Sequence, residues 1–327
     1  MSRRPEREGM ALLTVLLLVA VMSVVAVALL DDVRFSVRRT TNAEIGAQAQ
    51  WLASGAELLA RNRIKRLVQS SPTRTPLQPD WNGRRLDFPV ENGTISATVA
   101  DGQACFNLNS VVLGVGEDLV ARPQGAMQFR ALGRAVGVPD SRMRAIADGL
   151  TDWLDADAEA LPLGAEDGAY AGLSTPYRTA GVMLAEVSEL RAVKGVDADA
   201  YRRLRPYVCA LPTSRLSPLN VNTLTPEQAP LITMLTGGVI APERARAVIA
   251  ARPRDGWATG EAFWAASGLQ GFTPDEDTRE QATVLTRFFR LRVDVEYAGV
   301  RAVRTALLEA RQDGAVRTVI QRWTPEE

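Results

Sequence analysis

The chain has 327 residues, of which 46% are apolar and 23% charged, and its 38 basic side chains balance 38 acidic ones. That composition suits a globular protein with room for two modest domains, and a net charge of zero gives no overall attraction to nucleic acid or acidic lipid. Histidine is absent, which excludes Ser-His-Asp and Cys-His catalysis and every histidine metal site, and leaves carboxylates as the metal-binding option.

A stub carrying Arg3, Arg4 and Arg7 precedes the apolar run 10–30, in which only Thr14 and Ser23 are polar. As an α-helix, such a run spans about 30 Å, the thickness of a bilayer's hydrocarbon core. It closes on "LLDDVRFSVRR", with no small-residue signal-peptidase site, so the segment reads as retained. The arginines place the N-terminus in the cytoplasm, diluted by Glu6 and Glu8, and everything after residue 31 outside it. Beyond Asp31 and Asp32, Val33, Val37, Ile45, Ala49, Leu52, Ala56, Leu59 and Ile64 recur at helical spacings. They predict one helix over 10–68, membrane-buried first and amphipathic afterwards; a plain signal anchor is the alternative.

The junction Glu8-Gly9-Met10, a short basic leader and a Gly before an apolar helix, resembles the N-terminus of type IV pilins and type II secretion pseudopilins. The resemblance implies that a prepilin peptidase cuts after Gly9 and methylates the new N-terminus at Met10. Most such proteins carry Glu at the fifth mature position. Here Thr14 stands there, a departure that characterises the general secretion pathway protein K class.

Residues 70–89, "SSPTRTPLQPDWNGRRLDFP", are rich in turn formers and read as loop. "TISATVADG" predicts a strand over 94–100, and the C-terminal region predicts a meander of strands at 287–297, 300–310 and 315–323, with turns at Ala298-Gly299 and Asp313-Gly314. Between them "AMQFRALGRAVG", "SRMRAIADGLTDWLD" and "PERARAVIAARP" are helical. The pattern predicts an α+β fold: leader 1–9, helix 10–68, a sheet domain in two parts (69–109 and 282–327), and an inserted helical domain at 110–281. With the motifs "DWLDADAEALPLGAED" (152–167), "VSELRAVKGVDADAYRRLRPYV" (187–208) and "LNVNTLTPEQ" (219–228), this plan resembles the general secretion pathway protein K family over nearly the whole chain.

That resemblance implies a pilin-like long helix and antiparallel sheet carrying a large all-α insertion of helix-hairpin-helix (SAM-like) type. It implies a minor pseudopilin at the tip of the type II secretion pseudopilus, priming assembly and supporting export of folded proteins across the outer membrane. The implied partners are minor pseudopilins I and J, the rest of the pseudopilus and the prepilin peptidase. The implied location is a single pass through the bacterial inner membrane, with the bulk of the chain periplasmic.

Between Arg144 and Arg178 stand Asp148, Asp152, Asp155, Asp157, Glu159, Glu166 and Asp167, with no basic residue among them. A hard cation such as Ca²⁺ relieves the mutual repulsion of crowded carboxylates. The spacing is not that of an EF-hand, and on the residues alone a solvated acidic face is the simpler reading. The family resemblance implies calcium, with Asp155, Asp157, Glu166 and Asp167 matching its "D-x-D…GAED" pattern. Cys105 and Cys209, the two cysteines, both lie beyond the membrane segment. In an oxidising periplasm such a pair usually bridges, and a loop of that size contributes on the order of 4–5 kcal/mol in the chain-entropy model. Two separately buried thiols are the alternative.

Residues 219–264 also resemble a helix-hairpin-helix module, with Thr223 or Thr225 capping a helix at Pro226. A membrane-tethered DNA receptor of a DNA-uptake system is therefore the rival function. Residues 219–281 hold five Arg against eight carboxylates, whereas phosphate binding needs a basic face. The hairpin is read as a packing unit, and no nucleic acid is expected. The paired acids raise a glycosidase, but no sugar cleft, Gly-x-Gly-x-x-Gly or P-loop is recognisable, so no catalysis is expected.

Overall fold

The computed structural model describes residues 7–116 and 118–324, with backbone alone for Arg7, Glu8 and Gly9; the first six residues of the expected leader lie outside it. Helix α1 (Arg7–Ser70) is 64 residues long. From Met10 to Val37 every large apolar side chain on it is exposed, and a helix apolar on all sides and long enough to cross a bilayer is a candidate membrane span. Further on, one face turns inward. Ala49, Ala53 and Ile64 are buried, with Leu52, Ala56, Ala60 and Leu67 beside them, and the alanines let the helix axis lie close to the sheet.

That sheet contains β1 (Arg85–Val90), β2 (Gly93–Asp101), β3 (Phe288–Tyr297), β4 (Val300–Ala310) and β5 (Val316–Arg322), in that spatial order and antiparallel throughout. Strand alternation sends Phe289, Leu291, Val293 and Val295 towards α1. The β3–β4 hairpin turns on Ala298 (φ 47°) and Gly299 (φ 81°), the paired positive φ values of a tight two-residue turn. Strand β1 corrects the sequence reading, which placed 70–89 in a loop. It pairs with β2 from Arg85↔Thr98 to Val90↔Gly93, and because it is an edge strand it tolerates Pro89, which has no N–H to donate.

The intervening block has its own core, centred on Phe106, Phe129, Met143, Ile146, Leu190, Leu231, Val248 and Phe263. Its helices are α2 (Pro123–Ala135), α3 (Asp140–Leu154), α4 (Asp167–Ala171), α5 (Ala198–Leu204), α6 (Ala229–Leu235), α7 (Pro242–Ala250), α8 (Gly260–Trp264) and α9 (Glu276–Gln281). It is not purely helical as expected. Two-residue strands pair Phe106–Asn107 with Val208–Cys209 and Leu219–Asn220 with Ala282–Thr283, both parallel, and Val112–Leu113 with Val120–Ala121.

Those two parallel pairs close two copies of one unit. In the first, Asn107 Oδ1 accepts from Asn109 N (3.3 Å), and Ser110 Oγ donates to Asn107 O (2.6 Å). In the second, Asn220 Oδ1 accepts from Asn222 N (3.0 Å), and Thr223 Oγ1 donates to Asn220 O (2.8 Å). Asn109 clamps Leu184, accepting its N–H (2.7 Å) and donating to its carbonyl (2.9 Å). Asn222 clamps Trp257 in the same way at 2.8 and 2.9 Å. Each copy then holds a helix pair, α2–α3 or α6–α7, turned by positive-φ glycine, Gly137 or Gly237-Gly238. Each ends with a second such glycine, Gly195 (φ 89°) or Gly271 (φ 90°), and an aspartate capping the last helix: Asp197 takes the Ala200 N–H and Asp275 the Thr278 N–H. The copies differ most between the helix pair and the clamped residue. There the first inserts residues 155–183, and the second has only 251–256.

Glu57 of α1 packs against Arg304 of β4, and Gln69 lies beside Gly314 in the β4–β5 turn. The helix therefore runs along the sheet towards the end where β2 finishes and β3 begins. The helical block is attached at that end, remote from the apolar half of α1.

Candidate functional site

The insertion in the first copy carries the acidic cluster. Asp148 and Asp152, four residues apart on α3, share one face. Asp148 Oδ2 accepts from Leu163 N (3.2 Å), and the fully buried Asp152 accepts from Leu161 N through both oxygens (3.2 and 3.1 Å). Asp157 Oδ1 accepts from Glu159 N (2.8 Å). Asp148 and Asp152 thus fold the loop back over the end of α3, and Asp157 closes a turn within it. A side chain at Gly164 would collide with the Asp152 carboxylate, so the loop can only close this tightly on glycine. Burial pushes the Asp152 carboxyl above its ordinary range, against the lowering effect of the Leu161 and Ala165 N–H groups.

Asp155, Asp157 and Glu166 bring one carboxylate oxygen each to within 4.8 Å of one another. Asp155 Oδ1 and Glu166 Oε1 are buried without a hydrogen-bond partner. Burial is the main force on both; the charges of Asp157, Asp152 and Glu166 add to it at Asp155, and those of Asp152, Asp157 and Asp167 at Glu166. Each carboxyl is pushed up to about 7. Orphaned, mutually repelling oxygens with no nitrogen or sulfur donor among them form a site that suits a hard cation. The fourth expected ligand, Asp167, is engaged elsewhere: Oδ1 accepts from Thr179 N (2.9 Å) and Thr179 Oγ1 (3.0 Å), and Arg178 lies 3.8 Å from Oδ2. The bonds from Thr179 hold its carboxyl below the ordinary carboxylate range. Asp152 was passed over as an organiser of this loop; the available signal was a carboxylate on the otherwise buried last turns of α3.

Behind the loop, Trp153, Tyr170 and Tyr177 pack edge to face or tilted, with ring centroids 5.1–5.9 Å apart. Tyr170 Oη accepts from Lys194 N (3.1 Å), and Lys194 Nζ donates to Gly164 O (3.1 Å). Cys105 and Cys209 form a disulfide with Cα atoms 5.8 Å apart, beside the strand pair that closes the first copy.

At the other end of the molecule, Gly9 and Met10 lie at the N-terminal end of the described part of α1. Thr14 Oγ1 donates to Ala11 O (2.9 Å) within the helix, and no carboxylate occurs from Met10 until Asp31. In the second hairpin Thr225 forms a capping box with Gln228 rather than with Glu227. Arg244 and Arg252 donate to the carbonyls of Gln270 (2.6 Å) and Leu224 (2.8 Å). These arginines hold the unit together instead of forming a phosphate-binding face.

Residues 104–213 and 219–285 match two family models, both described as type II secretion system (T2SS), protein K. The matched stretches coincide with the two copies of the repeated unit. Type II secretion system protein K of Pectobacterium carotovorum subsp. carotovorum is 36% identical over 97% of this chain and 99% of its own length. That of Klebsiella pneumoniae is 35% identical over 98% and 99%, and that of Aeromonas hydrophila 39% over 76% and 77%. Among solved structures, a chain of the GspK-GspI-GspJ complex from the enterotoxigenic Escherichia coli type 2 secretion system superposes with a TM-score of 0.77. It is 30% identical, over 88% of this chain and 99% of that one.

Proposed function

The chain belongs to the type II secretion system protein K family of minor pseudopilins, and from that membership we propose that it caps the pseudopilus, primes its assembly and supports export of folded proteins across the outer membrane. The observation that carries this reading is the helical block, attached to the end of the sheet remote from the apolar half of α1. In a helical filament an inner subunit has neighbours above and below, and a projecting block would obstruct their stacking. At the tip there is nothing above to obstruct. Thr14 supports the same position, because burying a neighbour's charged N-terminus without a carboxylate costs several kcal/mol.

The partners are minor pseudopilins I and J, by analogy with the E. coli complex. The prepilin peptidase removes residues 1–9, leaving Met10 as the methylated N-terminus, and α1 anchors the chain in the inner membrane with its N-terminus cytoplasmic and its bulk periplasmic. Asp155, Asp157 and Glu166 would hold Ca²⁺, while Asp167, expected as a fourth ligand, would keep its bonds to Thr179. The bound ion would neutralise the cluster and fix residues 155–183 against α3.

The detergent-solubilised chain, mixed with pseudopilins I and J, should elute as a one-to-one-to-one complex by size exclusion with light scattering, without self-polymerising. Failure to bind either partner, together with submicromolar binding of duplex DNA at physiological salt, would favour the DNA-uptake reading.

A further inference from the structure

The chain leaves the sheet after Asp101 and returns to it at 284–288, so the helical block and the sheet meet across a seam. Their apolar cores are separate clusters, and units joined by a small apolar contact are expected to move relative to one another. An ion pair at its rim, Arg322 to Glu186 (2.6 Å), bridges this seam, and a buried polar network crosses it further in.

Asp101, 4% exposed, stands at its centre. Its Oδ2 accepts from Thr286 Oγ1 (2.7 Å) and lies 2.8 Å from Thr223 Oγ1, whose one proton is shared with Asn220 O, and its Oδ1 accepts from Gln103 N (2.7 Å). Its own N–H donates to Asn82 Oδ1 (2.8 Å), and Asn82 Nδ2 donates to Thr223 O (3.3 Å). Thr286 Oγ1 also accepts from Asn220 Nδ2 (2.8 Å), which commits its single proton to Asp101. Burial pushes the Asp101 carboxyl above its ordinary range, against the lowering effect of the bonds from Thr286, Gln103 and Thr223, and with little solvent reaching it these bonds are what hold it in place. Around it, Thr75 Oγ1 accepts from Thr286 N (2.8 Å), and Gln103 Oε1 accepts from Arg287 N (2.8 Å) and Phe288 N (3.2 Å).

One side chain thus ties the last residue of β2 to the start of the second repeated unit and to the returning strand. We propose that Asp101 is a positioning residue: it fixes the helical block in one orientation on the sheet, so that axial movement of α1 is passed to the block as movement of a rigid strut. The proposal concerns the chain alone and stands apart from which partners it binds.

Double electron–electron resonance on the full chain in detergent tests it, with spin labels at Ser54→Cys on α1 and Val239→Cys in the α6–α7 hairpin. The labelled parent should give one narrow distance. Asp101→Asn, which places an N–H₂ where hydroxyl protons arrive, and Thr286→Val should each at least double the width, while Thr223→Ser, which keeps the hydroxyl, leaves it narrow. Hydrogen exchange within β3 and α3 should stay unchanged in these variants, which a merely structural role would not allow. Widths equal to the parent's in both Asp101→Asn and Thr286→Val would overturn the proposal. So would a general rise in exchange through both lobes in both variants.

Discussion

Arg304 on β4 donates its Nε–H to Glu57 Oε2 on α1 at 2.5 Å, with side chains only 10% and 6% exposed. Thr318 donates to the other Glu57 oxygen (2.5 Å), Arg304 donates also to Gln321 Oε1 (2.6 Å), and the Trp323 ring centroid lies 4.5 Å from the guanidinium. A buried pair is weak evidence of net stability, but removing one member strands the other. Arg304→Ala should therefore cost about 3–5 kcal/mol in denaturant unfolding of the full chain in detergent. The double change Glu57→Leu with Arg304→Met should cost clearly less than the single. Equal costs would mean that lost packing, not a stranded charge, governs the site.

The acidic cluster carries a pH signature with a definite sign. In the metal-free protein Asp155 and Glu166 keep their protons up to about pH 7, whereas the unfolded chain releases them near pH 4. Between those values the folded state binds more protons, so its stability falls as pH rises through that window. Ca²⁺ needs the ionised carboxylates, so its stabilising effect should grow over the same range. Melting temperatures of metal-free protein should decline from pH 5 to 8, and the gain on adding millimolar Ca²⁺ should increase. Asp155→Asn with Glu166→Gln should flatten both trends. A calcium gain independent of pH would show that these two carboxylates do not hold the ion.

Much of this was legible in the sequence because it rests on local pattern. The long helix follows from apolar spacing, and the β3–β4–β5 meander from alternation and Gly-containing turns. Strand β1 was not legible, since Arg84, Arg85, Asp87 and Pro89 read as loop and only pairing with β2 makes a strand of them. The duplication was not legible: "NVNT" at 220–223 stands in a motif of the family resemblance, but its counterpart "NLNS" at 107–110 gains meaning only when both second asparagines clamp a distant backbone. Asp155, Asp157 and Glu166 were grouped by the family resemblance and not by their spacing, which alone favoured a solvated acidic face. That Asp167 turns to Thr179, and that Asp101 anchors the seam, depends on contacts between segments far apart in the chain.

The two asparagine clamps should separate the roles of the repeated units. Removing either side chain orphans a buried N–H and a buried carbonyl, a loss on the order of 2–4 kcal/mol. Asn109 holds Leu184, where the acidic insertion ends, and Asn222 holds Trp257, where no insertion exists. Both Asn109→Ala and Asn222→Ala should destabilise the block, but only Asn109→Ala should also weaken calcium affinity by calorimetry. Equal weakening would mean that the two units are too tightly coupled for the insertion to be controlled from one of them.

Processing at Gly9 should depend on how easily the start of α1 unwinds. Glu8, Gly9 and Met10 lie at the N-terminal end of the described part of α1. Glycine is worse than alanine in a helix by about 1 kcal/mol, so Gly9 weakens α1 at the bond the peptidase is expected to cut. A β-branched residue there would both crowd the peptide and narrow its backbone freedom. Mass spectrometry of chain extracted from cells containing the prepilin peptidase should find a mature N-terminus at Met10, N-methylated, and an intact leader in Gly9→Val. Gly9→Ala, which adds one methyl, should be cut at a reduced rate. An intact leader on the parent chain in those cells would refute processing at this junction, and α1 would then act as a plain anchor.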